Sequence, residues 1–168
     1  MNYKISEFFY SIQGEGTHAG KAAVYVRVYG CDLSCSFCDE PTHKIRYDLF
    51  SESKLIQKIK KHHAKYVVLT DEEHSINDLN HLIERLQKDN YYVAIETNGY
   101  QPKNIKKANW ITYSPKVFPV KIEDNFFDEI KFIVNNKTKI DPILEVSKQI
   151  QCATYIQPEA EMDSLIQD

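Results

Sequence analysis

Three cysteines within eight residues are the feature of this chain that points most directly to chemistry. Cys31, Cys35 and Cys38 have the spacing C-x3-C-x2-C in the segment GCDLSCSFCDE. In a reducing compartment such a cluster indicates a metal site rather than a disulfide framework. Three thiolates on one short loop can bind three irons of a cubane 4Fe–4S cluster, so that the fourth iron stays open. The spacing therefore predicts a cluster with one corner free for a chelating ligand.

A structural zinc site is the alternative interpretation of the same cysteines. Zinc in structural sites usually takes four protein ligands in two separated pairs, and His43 is available as a fourth ligand here. The remaining cysteine, Cys152, stands apart, and we expect it to be a small buried side chain.

Short β-type runs recur along the chain and must position the cysteine loop. In residues 23–29, valines alternate with Tyr25, Arg27 and Tyr29, which predicts a strand with two different faces. Residues 66–70 (YVVLT) form a continuous apolar run, as expected of a strand buried on both faces. The six predicted strands are residues 23–29, 66–70, 92–96, 110–113, 130–134 and 153–157.

Helical patterns lie between several of these strands. Ser51 or Ser53 is expected to cap a first helix, Ser75 a second, and Pro142 suits the first turn of a third. Alternating strands and helices predict right-handed parallel βα units. A closed eight-unit barrel needs about 250 residues. We therefore expect an α/β fold, an open partial βα barrel of about six parallel strands, as one domain over residues 1–168. The cysteine loop follows the first predicted strand, at the C-terminal mouth of this barrel.

Composition excludes several classes of protein. The chain has 42% apolar and 27% charged residues, which is typical of a globular protein. The net charge of −3 and the absence of a long basic run give no indication of nucleic-acid binding. No apolar run approaches the roughly 20 residues that span a bilayer, and the N-terminal residues lack the apolar core of a signal peptide. We expect no membrane partner and a cytoplasmic location.

The cysteine spacing, with Phe37 between the last two cysteines, resembles that of the radical S-adenosylmethionine (SAM) superfamily. Further segments narrow the resemblance, and they are FYSIQGEGTHAG, VYVRVYGC, ETNG, SPK, DEIKFIV and YIQP, in this order. Together they resemble the 7-carboxy-7-deazaguanine synthase family, over nearly the whole chain from about Glu7 to Pro158. No single segment would suffice for this assignment.

The resemblance implies a lyase of the 7-deazapurine (queuosine) pathway. Such an enzyme converts 6-carboxy-5,6,7,8-tetrahydropterin to 7-carboxy-7-deazaguanine with loss of ammonia, through a ring contraction that SAM cleavage at the 4Fe–4S cluster initiates. The implied cofactors are the cluster, SAM and Mg²⁺. The implied partners are the small pterin substrate, an electron donor such as flavodoxin or ferredoxin, and a second copy of the chain in a homodimer.

The resemblance also assigns roles to individual residues. The residues that would contact SAM are Phe37, Cys38, Asp39, Glu73, Asn98, Ser114, Pro115 and Lys116. The residues that would contact the substrate are Ile12, Gln13, Gly14, Glu15, Arg27, Thr70 and Pro158. Arg27 would bind the substrate carboxylate, since a guanidinium can do so in bidentate fashion; an internal salt bridge with Glu15 is the alternative. Asn98 and Gly99 would form a turn that brings the backbone close to SAM; the alternative is an ordinary Asn-Gly turn.

Two segments depart from the family pattern. Where the family has T-G-G-E-P, this chain has Thr70-Asp71-Glu72-Glu73-His74, which removes two glycines and adds carboxylates. Glu40 stands where the family has a threonine that contributes an oxygen to Mg²⁺; a carboxylate is also a hard oxygen ligand. Three hypotheses therefore stay open: an active synthase of compact size, a radical SAM enzyme or glycyl-radical activase with another substrate, and a homologue that binds without turnover.

Overall fold

All strands of the described chain belong to one sheet with the order β3-β1-β2-β4-β5-β6-β7-β8. The computed structural model describes residues 1–31, 33–35, 38, 45–70, 78–99, 102–120, 122 and 126–159. The strands are β1 (Asn2–Ile12), β2 (Ala22–Val28), β3 (Asp48–Ser51), β4 (Tyr66–Thr70), β5 (Tyr92–Thr97), β6 (Trp110–Tyr113), β7 (Glu129–Val134) and β8 (Ala153–Pro158). The helices are α1 (Glu52–Ile59), α2 (Asn80–Lys88) and α3 (Asp141–Gln149), and a 3-10 turn covers Pro102–Asn104.

Six neighbouring strands, β2 and β4 to β8, run parallel, and they are the six that the sequence predicts. The sheet is open, because β3 and β8 are its two edges. The prediction of an open α/β sheet is therefore confirmed. Two antiparallel strands, β1 and β3, were missed. A register shift between Ile5 and Glu7 breaks the alternation of β1, and β3 has only four residues, so neither carries a clear period-two pattern.

The described helices pack on one face of the sheet. Their apolar stripes, such as Leu55 and Ile59 of α1, join the core with Val26 and Leu69 from the strands. Ser51 is the cap of α1, as predicted, and its hydroxyl accepts a hydrogen bond from Lys54 N. Pro142 lies in the first turn of α3, also as predicted. Ser75 lies outside the described residues; α2 begins at Asn80, whose N–H donates to Asp78 Oδ1 at 2.9 Å. No helix in the described ranges is long and apolar enough to cross a membrane.

The β1–β2 hairpin loop, residues 13–21, covers the opposite face of the sheet. His18 packs against Tyr66, Tyr92 and Trp110, which are the first residues of β4, β5 and β6. Gln13 reaches Glu96, near the C-terminal end of β5. The loop therefore crosses the face from the N-terminal ends of the strands towards their C-terminal ends. The cysteine loop follows β2 at these same C-terminal ends.

Candidate active site

The three cysteines of the predicted cluster lie directly after β2. Cys31 follows the last residue of that strand, Val28, by three positions. None of the three forms a disulfide bond with another described cysteine, and all three are partly exposed, as a cluster loop with an open iron requires. The N–H of Leu33 donates to Cys31 Sγ at 3.4 Å, and the N–H of Cys38 donates to the carbonyl of Cys35 at 3.3 Å. Amide hydrogen bonds to sulfur are one of the means by which proteins tune iron–sulfur clusters.

The donor set, three thiolates on one short loop, fits a 4Fe–4S cluster with one open iron. His43, the alternative zinc ligand, lies outside the described residues, as do Phe37, Asp39, Glu40 and Glu73.

A polar cluster of four residues lies on the sheet face opposite the described helices, and it includes residues of the hairpin loop. The ammonium of Lys131, in β7, contacts Glu15 Oε2 and lies 3.8 Å from Glu96 Oε2. Gln13 Nε2 donates to Glu96 Oε1 at 2.8 Å, and Gln13 Oε1 accepts from the N–H of Glu15 at 3.2 Å. The structure thus brings Gln13 and Glu15, two predicted substrate contacts, to the same place.

A second charged residue of β7, Glu129, binds the next residues of the loop. Its Oε2 accepts the N–H of Thr17 at 2.9 Å, and its Oε1 accepts the hydroxyl of Thr112 at 2.7 Å. Thr17 Oγ1 also lies 3.1 Å from the hydroxyl of Tyr155 in β8. Glu129 is 3% exposed, so these hydrogen bonds replace the water that the carboxylate would otherwise bind.

Both buried charges have shifted pKa values. Burial alone would lower the pKa of Lys131, but attraction to Glu96 and Glu15 outweighs it, and the pKa is raised. Burial alone would raise the pKa of Glu129, but the hydrogen bonds from Thr17 and Thr112 outweigh it, and the pKa is lowered. Both groups are therefore charged at neutral pH. By contrast, burial, with the charge of Lys21, lowers the pKa of His18, whose Nδ1 lies 2.8 Å from the Tyr66 hydroxyl.

The predicted SAM contacts of the SPK segment lie at the C-terminal end of β6. Lys116 Nζ donates to Ser114 Oγ at 2.9 Å, and the N–H of Ser114 donates to the carbonyl of Thr97 at 2.7 Å. Pro115 lies between them and is buried. The end of β5 and the end of β6 are thus tied together, which places Asn98 beside the SPK segment.

The packing around Gly99 leaves no room for a side chain. Its φ is +85°, and a Cβ there would lie 2.5 Å from the Tyr113 ring. The backbone at Gly99 therefore approaches the Tyr113 ring closely, and a side chain would not fit there.

Arg27 lies on the face opposite the valines, as predicted. Its partner is Glu7, directly opposite on β1, with Nε 3.1 Å from Glu7 Oε2. The alternative salt bridge with Glu15 is wrong, because Glu15 pairs with Lys131. No partner in the described part of the chain occupies the two terminal nitrogens of Arg27.

The other predicted substrate contacts are spread along the same face and its rim. Thr70, the last residue of β4, has a buried Oγ1 without a hydrogen-bond partner among the described residues. Ile12 ends β1 and is 64% exposed, and Gly14 is the second residue of the loop, where an added Cβ would meet nothing within 4 Å. Pro158 ends β8 and is exposed, beside Val134 of β7.

The sequence interpretation missed the roles of Lys131, Glu129, Glu96 and Thr17. A signal was present in the DEIKFIV segment, because Glu129 and Lys131 alternate with Ile130 and Phe132 in a strand that is otherwise apolar. Charged residues at every second position of a buried strand face a polar interior. The partners of Lys131 and Glu129 in the hairpin loop lie 116 and 112 positions away, and sequence patterns do not reveal such pairings.

The chain is similar to one protein-family model, to several known proteins and to a solved structure. The model of the radical SAM superfamily matches residues 25–151. A 7-carboxy-7-deazaguanine synthase of Bacteroides thetaiotaomicron is 42% identical over 133 residues, which cover 79% of this chain and 71% of that protein. The synthase of Haemophilus influenzae is 31% identical over 96% of this chain and 77% of that protein. The crystal structure of QueE from Escherichia coli superposes with a TM-score of 0.78 at 25% identity, over 98% of this chain and 87% of that one.

Proposed function

This chain belongs to the radical SAM superfamily and, within it, to the 7-carboxy-7-deazaguanine synthase family, and we propose that it converts 6-carboxy-5,6,7,8-tetrahydropterin to 7-carboxy-7-deazaguanine with loss of ammonia. One observation carries the proposal. The cysteine loop follows β2 at the sheet edge where β4, β5 and β6 end, so Thr70, Asn98 and Ser114 lie at the same edge. Enzymes of this architecture build their sites at that edge.

The cysteines would hold the cluster, and the SPK segment would hold SAM. When bound to Cys31, Cys35 and Cys38, a 4Fe–4S cluster supplies an open iron for SAM and the electron that cleaves it. Lys116 and Ser114, already in contact with each other, would present an ammonium and a hydroxyl to the polar groups of SAM. Phe37, Asp39 and Glu73, which lie outside the described residues, would complete this contact set.

The sheet face opposite the described helices would hold the pterin. Arg27 has two terminal nitrogens without partners among the described residues, and they can bind the substrate carboxylate in bidentate fashion. Gln13 and Glu15 present amide and carboxylate groups that match the N–H donors of an aminopyrimidine ring. The partnerless hydroxyl of Thr70 supports a polar contact to the same ligand. Ile12, Gly14 and Pro158 would form the rim.

We propose a Mg²⁺ ion beside the substrate carboxylate, with Glu40 as an oxygen ligand. Glu40 lies outside the described residues, and the proposal rests on its position in the sequence, two residues after Cys38. Activity should fall when a chelator removes divalent ions and should return when Mg²⁺ is added. Glu40→Gln should raise the Mg²⁺ concentration needed for half-maximal activity, whereas an unchanged requirement would exclude Glu40 as a ligand.

An electron donor and a second copy of the chain complete the proposal. A small redox protein such as flavodoxin or ferredoxin would supply the electron, and replacing dithionite by reduced flavodoxin should sustain turnover. The homodimer is tested by light scattering of the cluster-loaded protein, where a mass near 19.6 kDa would reveal a monomer. A cytoplasmic location stays a prediction.

The decisive experiment is product analysis on anaerobically reconstituted protein. Dithionite and SAM are added with and without 6-carboxytetrahydropterin, and 5′-deoxyadenosine and 7-carboxy-7-deazaguanine are quantified. Formation of 7-carboxy-7-deazaguanine that requires all components supports the proposal. Formation of 5′-deoxyadenosine alone would point to another substrate or to an activase, and an intact cluster without SAM cleavage would point to a binding homologue. Cys152→Ala is the matched control for cysteine substitutions.

A further inference from the structure

Two carboxylates from distant parts of the chain meet at one buried ammonium. Lys131 has 9% of its side chain exposed, and its Nζ contacts Glu15 of the hairpin loop and lies 3.8 Å from Glu96 of β5. No other lysine or arginine in the described ranges forms an ion pair with either carboxylate. A third carboxylate, Glu129, precedes Lys131 by two positions and lies on the same face of β7.

The ammonium offsets a large local excess of negative charge. Two carboxylates that share a partly dry site repel each other unless a cation lies between them. Among the described residues, the phenols of Tyr25 in β2 and Tyr66 in β4 also lie near Glu96, and burial raises the pKa of both, so they stay neutral. Lys131 is therefore the cation that offsets the repulsion between Glu15 and Glu96.

The same contacts connect Lys131 to the backbone of the loop. Glu96 accepts from the side chain of Gln13, and Gln13 accepts from the N–H of Glu15, whose own carboxylate returns to Lys131. These hydrogen bonds and ion pairs form a closed ring that joins β5, β7 and the loop. If the ammonium is removed, the carboxylate of Glu15 loses its anchor and the loop loses one of its attachments to the sheet.

We propose that Lys131 is a positioning residue, whose ammonium holds the side chains of Glu15 and Glu96 together and so keeps residues 13–20 in the conformation that receives the substrate. Lys131 affects substrate binding only through the side chains of Glu15 and Glu96. This inference rests on the proposed function, since it names the residue that preorganises the substrate side of that site.

The test compares Lys131→Met with Lys131→Arg, and uses Lys148→Met as the matched control. Lys148 is an exposed lysine paired with Glu145 in α3, so the same change there removes a charge without touching the site. In Lys131→Met, hydrogen exchange of the amides in residues 13–20 should accelerate at least about tenfold, with exchange in β4 and β5 unchanged. Lys131→Arg should retain loop protection, because it retains the charge. If Lys131→Met fails to fold, Glu15→Gln is the second variant, because Glu15 is the partly exposed member of the pair. It should also accelerate hydrogen exchange of the amides in residues 13–20.

Kinetics provides the second measurement. KM for the pterin should rise about tenfold or more in Lys131→Met while kcat stays within about threefold, because ground-state binding is what the loop supplies. SAM cleavage without substrate should match wild type.

The results separate the two proposals. If residues 13–20 exchange at the wild-type rate in both Lys131→Met and Glu15→Gln, the positioning role is wrong, whatever the enzyme makes. If Lys131→Arg loosens the loop as much as Lys131→Met, the ammonium charge is not the cause. If wild-type protein neither binds nor converts the pterin, the proposed function fails, while the exchange data still decide the role of Lys131 in ordering the loop.

Discussion

The α-carbon of Gly16 lies so close to Glu129 that a methyl group on it would meet Oε1 at 2.4 Å. The φ of Gly16 is +67°, so a side chain would be strained there even in open space. The neighbouring N–H of Thr17 donates to the same carboxylate. The hairpin loop is therefore pressed onto β7 at a point where only glycine fits.

Gly16→Ala should lower the free energy of unfolding by about 1–3 kcal/mol and raise KM for the substrate, because the loop must move away from Glu129. Urea denaturation and steady-state kinetics measure the two effects. Gly20→Ala is the control: its φ is +89° but nothing lies within 4 Å of an added Cβ, so it carries the conformational strain without the clash. Equal losses of stability in the two variants would show that contact with Glu129 is unimportant.

Cys35→Ala should abolish cluster binding and activity together, because two thiolates leave the cluster without a third ligand. Iron and sulfide analysis after anaerobic reconstitution, with EPR of the reduced protein, measures cluster content. Cys152→Ala should retain full cluster content, because Cys152 packs beside the core rather than in the cysteine loop. Stoichiometric zinc in freshly purified wild-type protein would contradict the assignment.

Arg27→Ala should leave cluster content unchanged and raise KM for the substrate about tenfold or more, because a charge-assisted bond to a carboxylate contributes about 1.5–3 kcal/mol. Its pair with Glu7 is partly exposed, so stability should change by less than about 1 kcal/mol. Arg85→Ala, which removes a similarly exposed arginine from its pair with Asp89, is the control. Normal substrate binding by Arg27→Ala would disprove the assigned role.

Thr70→Val should weaken substrate binding without lowering stability. The buried Oγ1 of Thr70 has no partner among the described residues, so its replacement by a methyl group breaks no hydrogen bond there. KM should rise about twofold to tenfold, the range of one neutral hydrogen bond, while the midpoint of urea unfolding stays the same or increases. Loss of stability would mean that the hydroxyl has a structural partner.

Glu129 should make stability depend on pH in the acid range. Its pKa is lowered in the folded protein, so its stabilising effect is complete above the unfolded value of about 4.3 and is lost as pH falls through the folded pKa. The stability difference between wild type and Glu129→Gln should be constant from pH 6 to 8 and should shrink below about pH 4. Glu145→Gln, at an exposed pair with Lys148, is the control. A difference that stays constant down to the lowest pH would exclude this linkage.

The amino-acid pattern alone predicted the parallel sheet and the cysteine loop. It also predicted the first turns of two of the three described helices. These features depend on neighbours within a few positions: alternating valines in β2, Ser51 before α1, Pro142 in α3, and three cysteines on one loop. Local sterics and local hydrogen bonds decide such features, and they are readable from spacing. Strand β1 was not predicted, because its bulge shifts the alternation of side chains between Ile5 and Glu7.

Tertiary structure decided which charges meet. Arg27 could be placed on the correct face from its own strand, but its partner proved to be Glu7, and Glu15 proved to belong to Lys131. Strand order brings β7 beside β6 and turns Glu129 and Lys131 towards a loop more than one hundred positions earlier in the chain. A pair of charges is favourable only once folding has brought the two groups together and removed their water. For this reason the partners of the site follow from the sheet and not from the spacing of residues.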